Sequence, residues 1–184
     1  MKRKEFEKFA TQVRRAVMKA LDDRINEIVK EVNQRGEEIR KEAEEWFKEE
    51  IKKNPEIILG GEAYAYREGT LSGTIYSKLG LKGAWIGLRY RKDWYSLDKA
   101  PVPDELKKKY QEYLELDKKL VKELNKLVIL RKTVYYDLVA WKKRALKGKA
   151  YKEEPISFPA KYWDFVPEEF RESLTPSSSE EGRS

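Results

Sequence analysis

The sequence predicts an α+β fold: two long antiparallel, coiled-coil-like helices flanking a small three-stranded antiparallel β-meander, with an extended aromatic segment towards the C-terminus. Three observations carry this prediction. Apolar residues recur at steps of three and four along two long stretches. Between these stretches lie seven of the ten glycines, from Gly60 to Gly87. The last part of the chain packs aromatic residues among three prolines. The expected organisation is a single elongated domain over 1–174, followed by a disordered tail over 175–184.

The first helix is expected over 4–53. Phe6, Phe9, Val13, Val17, Leu21, Ile25, Ile28, Val32, Ile39, Ala43, Trp46 and Phe47 form its stripe, with a period close to that of a straight amphipathic helix. Gly36 is its weak point and the expected place of a bend, since glycine costs about 1 kcal/mol against alanine inside a helix. Asn54-Pro55 ends it, because the residue before a proline avoids the α region. Such a helix reaches roughly 75 Å, and a second helix must cover its apolar stripe.

That second helix is expected over 103–147. Twelve positions from 106 to 145 alternate steps of four and three, and ten are apolar, which is a sustained heptad stripe. The exceptions, Asp117 and Arg131, share one heptad position and read as register control or a surface-facing gap. They stand about 21 Å apart along the axis, too far to be a buried functional pair. Pro103 suits the first helical position, Asp104 the positive end of the dipole, and Gly148 the C-terminal cap.

The meander is expected over 57–96. Runs at 63–66, 71–76 and 84–90 alternate aromatic or β-branched residues with small ones. Glu68-Gly69 and Leu79-Gly80-Leu81-Lys82-Gly83 mark the turns. Residues 151–174 are expected to run extended over the helices, pinning Phe158, Tyr162, Trp163 and Phe165 into grooves before a short helix from Pro167.

Composition excludes much chemistry. The chain has no Cys and no His. Disulfides, thiolate catalysis, Cys/His zinc sites and imidazole acid–base catalysis are all ruled out. No apolar run approaches the roughly 20 residues that span a bilayer, and the basic N-terminus lacks the apolar core of a signal peptide. A soluble, cytoplasmic protein without membrane contact is expected. Scarce Gln, Asn and Met beside abundant Lys, Arg and Glu match proteins of very hot organisms, a bias that Lys/Glu-rich coiled coils share.

The motifs are as informative for what they fail to be. Gly80-x-x-Gly83, with Lys82 inside, has the outline of the loop with which KH domains clamp a nucleic-acid backbone. Its flanks alternate like strands rather than helices, so a hairpin turn is the better reading. Neither nucleotide-binding glycine pattern occurs. Pro103-Asp104 with Glu105 and Lys107 resembles the carboxylate–lysine set of restriction-type nucleases, but the residues are squeezed into one helix start. Any metal site would have to be all-carboxylate, and no spacing argues for one. No cofactor is expected.

Two basic features remain. The net charge of +7 is uneven: residues 103–152 hold 15 Lys and Arg against 7 acids, whereas 153–184 hold 3 against 8. Within this pattern, Lys142, Lys143, Arg144 and Lys147 crowd the end of the second helix. That is more cation than dipole compensation requires. Arg89, Arg91 and Lys92 interleave with Trp94 and Tyr95, the combination that neutralises phosphates and stacks bases. The competing reading for each is ordinary: a helix end, and a strand whose Arg and Trp pack on their neighbours.

The expected function is therefore a non-catalytic binding protein that contacts nucleic acid, or an acidic protein surface, through these nine residues. Spare helix surface would serve a homodimer. The alternatives are a protein–protein interaction module built on the helical hairpin (an inhibitor, adaptor or assembly subunit of a virus or mobile element) and a carboxylate-dependent metal enzyme. The layout loosely resembles phage-encoded proteins that guard DNA or inhibit a host factor, a likeness of arrangement that no motif carries.

Overall fold

The two apolar stripes become the two long helices. The structure, a computed structural model, describes residues 1–53, 57–59, 73–90 and 93–178. Helix α1 runs Arg3–Lys53 and helix α3 Asp104–Lys147, with the short helix α2, Gly73–Lys78, between them. The chain divides into two compact units, to each of which α1 and α3 contribute. The terminal unit comprises Met1–Ile25 with Lys126–Ser184, and the central unit Asn26–Asn125.

In the terminal unit α1 and α3 run antiparallel: Phe6 meets Trp141, Arg14 meets Tyr135, and Asp22 meets Arg131. Phe6, Val13, Val17 and Leu21 on α1 and Val134, Leu138, Trp141 and Ala145 on α3 are buried. Arg131, one of the two breaks in the heptad stripe, grips Asp22 side-on, Nε to Oδ1 at 2.6 Å and Nη2 to Oδ2 at 3.2 Å.

The C-terminal segment adds a second aromatic layer to this unit. The Tyr151 ring stacks on Phe6 at 5.7 Å, Phe158 lies edge-on to Trp141 at 5.0 Å, and Phe170 lies edge-on to Phe9 at 5.7 Å. Strands β4, Ile156–Phe158, and β5, Leu174–Pro176, pair in parallel. Thr175 and Pro176, assigned to the tail by sequence, are thus strand residues; 179–184 lie outside the described residues. Phe158 and Tyr162 are fully buried as expected, while Trp163 and Phe165 are half-buried.

Tyr162 fixes the segment chemically. Its hydroxyl donates to Asp137 Oδ2 at 2.5 Å and lies 2.9 Å from Thr133 Oγ1. Lys161 Nζ stands 2.7 Å from the same carboxylate. Burial pushes the Asp137 carboxyl up, but the hydrogen bonds from Lys161 and Tyr162 outweigh it and hold the group below its ordinary value. Burial, and then the bond to Asp137, push the Tyr162 phenol far above its ordinary value, so the donor keeps its proton.

In the central unit the helices are again antiparallel, Gly36 facing Tyr113 and Glu42 facing Lys109. Ile28, Val32, Ile39, Ala43 and Phe47 bury with Leu106, Tyr110, Tyr113, Leu120 and Leu124. Asp117, the other break in the stripe, is buried at 6 % exposure and has a partner. Gly36 lies within the continuous α1 and serves packing: a Cβ there would meet the Tyr113 hydroxyl at 2.9 Å.

The expected α+β class and its three-stranded meander are overturned. The chain is mostly helical. Of the three alternating runs, 63–66 lies outside the described residues. The 71–76 run leads into α2, a helix. Only Gly87–Tyr90 of the third is a strand, β2. It lies between β1, Ile57–Leu59, and β3, Asp93–Ser96, both antiparallel to it. With α2 falling between β1 and β2, these three- and four-residue strands are not a run of consecutive hairpins. The parallel pair β4–β5 was not foreseen. Gly73 to Lys78 misled because six residues are too few to display a helical period, and Thr74, Ile75 and Tyr76 have strand-like composition.

The Gly80 turn is corrected with it. Gly80, at φ +75°, ends α2 in a Schellman cap: its N–H donates to Ser77 O at 3.0 Å, and that of Leu81 to Tyr76 O at 2.9 Å. Tyr76 and Leu81, the residues that motif brings together, are both buried. Asn33 of α1 then clasps the loop, donating to Gly80 O at 2.8 Å and accepting from the Lys82 N–H at 2.9 Å.

Candidate nucleic-acid interface

The two basic features predicted from sequence fall in different units. Arg89, Trp94 and Tyr95 belong to the central unit; Arg91 and Lys92 lie outside the described residues. Arg89 and Trp94 are cross-strand partners on β2 and β3. The Arg89 guanidinium sits over the Trp94 ring at 5.8 Å, and Trp94 lies edge-on to Trp85 at 6.1 Å. This is a cation–π contact within the fold. Arg89 Nε is buried and, among the described residues, has no hydrogen-bond partner. Trp94 remains 53 % exposed, whereas Tyr95 is half-buried opposite Leu88.

Close packing sets this local geometry. Gly87 admits no side chain, because a Cβ there would collide with the Trp85 ring and the Tyr95 carbonyl. The remaining loop cation, Lys82, ion-pairs with Glu37 at 3.4 Å. Slight desolvation raises the Glu37 carboxyl, but Lys82 and then Arg40 more than offset it, leaving it below its ordinary value. The Gly-x-x-Gly loop is therefore bound to α1 by Asn33 and Glu37.

Lys142, Lys143, Arg144 and Lys147 belong to the terminal unit. Lys142 is half-buried and donates to Thr11 Oγ1 at 3.3 Å. Lys143, Arg144, Lys147 and the following Lys149 are exposed, and among the described residues none has an ion-pair partner. The carbonyls of the last helical turn balance part of this charge. Arg144 also lines a cleft of about 310 Å³ with Trp141, Phe158, Ser157, Ser177 and Ser178.

The terminal unit holds 20 Lys and Arg against 13 Asp and Glu, and the central unit 20 against 20. The entire net charge of +7 belongs to the terminal unit.

The same unit carries an aromatic feature that the sequence reading missed. Tyr136 is 73 % exposed and Tyr135 45 %. Their rings meet edge-to-face at 5.4 Å, and the Arg14 guanidinium covers Tyr135 at 4.8 Å. Tyr135, Arg14, Thr11 and Lys142 line one seam of the α1–α3 pair. The hydrogen bonds and ring contacts of the C-terminal segment with the long helices go elsewhere, to Phe6, Phe9, Thr133, Asp137 and Trp141. Ile129 and Lys132 on one side of Tyr136, and Lys143 on the other, lie on its outer face at helical spacing and are exposed. The signal was available: two tyrosines beside the heptad position of Val134 fall outside the core stripe, where an amphipathic helix normally places polar residues.

Among the described residues, no group of three or more acidic side chains is placed to hold a metal ion, and no helix is long and apolar enough to cross a membrane. Comparison with family models, with curated proteins and with solved structures finds no match.

Proposed function

We propose that the chain is a non-catalytic, cytoplasmic binding protein that contacts nucleic acid chiefly through the basic surface of its terminal unit. The observation that carries this reading is the concentration of all the net charge in that unit, with Lys143, Arg144, Lys147 and Lys149 without an ion-pair partner among the described residues. Exposed cations at a helix end release counterions from a phosphate backbone when they bind it. Arg89, Trp94 and Tyr95 make a smaller contribution, because the Arg89 guanidinium is already engaged with Trp94.

The test is binding of labelled mixed-sequence oligonucleotides at several salt concentrations. Affinity should fall steeply with salt. Lys143→Ala/Arg144→Ala/Lys147→Ala should flatten the slope of log K against log salt by about 2 to 3. Absence of binding at low salt overturns the reading. The same cations would also suit an acidic protein surface. That reading gains ground if an acidic polypeptide binds the chain more tightly than the oligonucleotides at equal salt.

A further inference from the structure

We infer that the outer face of α3 around Tyr136 is a stacking platform for single-stranded nucleic acid, a proposal that rests on the nucleic-acid reading above and deepens it. A surface reading phosphates alone needs cations. It has no use for a phenol ring 73 % in solvent, whose exposure costs apolar hydration. Tyr136 is held from one side by the edge-to-face contact with Tyr135, which is itself stiffened by Arg14 over its ring. The platform is thus ordered before any ligand arrives, which lowers the entropy lost on binding.

Cations bracket the ring. Lys132 lies on its face one turn before it and Lys143 two turns after it, about 16 Å apart along the helix. Both are exposed, and among the described residues neither has an ion-pair partner. The small Ala140, one turn beyond Tyr136, leaves room over the ring. A base laid on Tyr136 would have its flanking phosphates within the field of these two lysines and of Lys142 at the seam. Only an unpaired strand can offer a base face, because in a duplex those faces are stacked on one another.

Ile129, 57 % exposed on the same face, raises the competing occupant, a second copy of the chain. Charge argues against it. A two-fold interface sets a patch against itself, bringing the lysines of two units that each carry +7 into opposition. A polyanion meets the same surface with complementary charge.

The experiment measures anisotropy of labelled oligo(dT), oligo(rU) and a mixed-sequence duplex with the full chain and with Tyr136→Ala and Tyr136→Phe. Circular dichroism confirms the fold, and sedimentation gives the oligomeric state. The expected result is tighter binding of single strands than of duplex. Tyr136→Ala should weaken single-strand binding roughly tenfold and leave duplex binding unchanged, while Tyr136→Phe, which keeps the ring, binds like the parent. The dT and rU arms distinguish DNA from RNA. If Tyr136→Ala leaves single-strand binding unchanged, or weakens both forms equally, the platform is overturned while phosphate binding stands. If no oligonucleotide binds at low salt, the underlying reading fails as well. A dimer that Tyr136→Ala converts to monomer overturns the platform in favour of self-association.

Discussion

The terminal and central units are built on the same two helices and from similar residue types, yet all the net charge lies in one and none in the other. In the central unit cations and acids meet repeatedly: Lys109 with Glu42, Lys82 and Arg40 with Glu37, Arg35 with Glu38. In the terminal unit aromatic contacts join the elements, with Phe6, Trp141, Tyr151 and Phe158 in contact and Phe9 against Phe170, beside two polar links, Arg131 with Asp22 and Asp137 with Lys161 and Tyr162. The difference separates two uses of charge. Exposed ion pairs add little stability, so a unit can afford unbalanced cations if its packing is good. Charge left uncompensated on a well-packed surface is then available to a partner.

This contrast can be broken by substitution. If aromatic packing holds the terminal unit, Phe158→Ala should cost the most, about 3 to 5 kcal/mol of unfolding free energy in denaturant melts. A loss below about 1 kcal/mol would show that the segment contributes little. In the central unit, tight backbone approach plays the corresponding part. Gly87→Ala should destabilise by about 2 to 3 kcal/mol, since its neighbours include backbone that cannot swing aside. Gly36→Ala pits a helix-propensity gain of about 1 kcal/mol against a buried Tyr113; a net loss of about 1 kcal/mol in the same melts is expected. A net gain would mean that Tyr113 moves freely.

Smaller effects sharpen the comparison. Because the folded Asp137 carboxyl lies below its ordinary value, its contribution is complete above the unfolded value near 3.8 and is lost as pH falls through the folded one. The parent should therefore lose stability relative to Asp137→Asn on acidification below about pH 4. Parallel pH profiles of the two proteins would refute the linkage. Arg131→Ala should have the least effect, about 0.5 to 1 kcal/mol, because its pair with Asp22 is partly exposed. A larger loss would give the terminal unit an electrostatic component that its aromatic contacts do not suggest.

Both long helices were legible because each repeats its period many times, so single exceptions such as Asp117 and Arg131 could not hide it. The aromatic segment was legible in kind, with Phe158 and Tyr162 buried as expected, although its pairing as β4 and β5 was not. The central insertion was misread where segments were shortest. Six residues of α2 carry no periodic signal, and a glycine with positive φ serves a helix cap as readily as a hairpin. Of the predicted binding residues, Lys142, Lys143, Arg144 and Lys147 came together on one helix end, as their spacing required. Arg89 is engaged with Trp94, a contact that depends on β2 and β3 being adjacent and that the sequence does not show. Tyr135 and Tyr136 lie beside the core stripe, where the period alone does not say what covers a side chain.

The sequence by itself determined the helices, the chemistries that are absent, and the existence of a surplus of positive charge, since period, composition and count are properties of the chain alone. Only the tertiary structure decided where that surplus resides and what stands beside it. Pairing of distant segments sets which acids reach which cations, so that Glu37 silences Lys82 whereas nothing described silences Lys143. The same pairing turned the Gly80 loop into a cap clasped by Asn33 and left Tyr136 in solvent between two lysines.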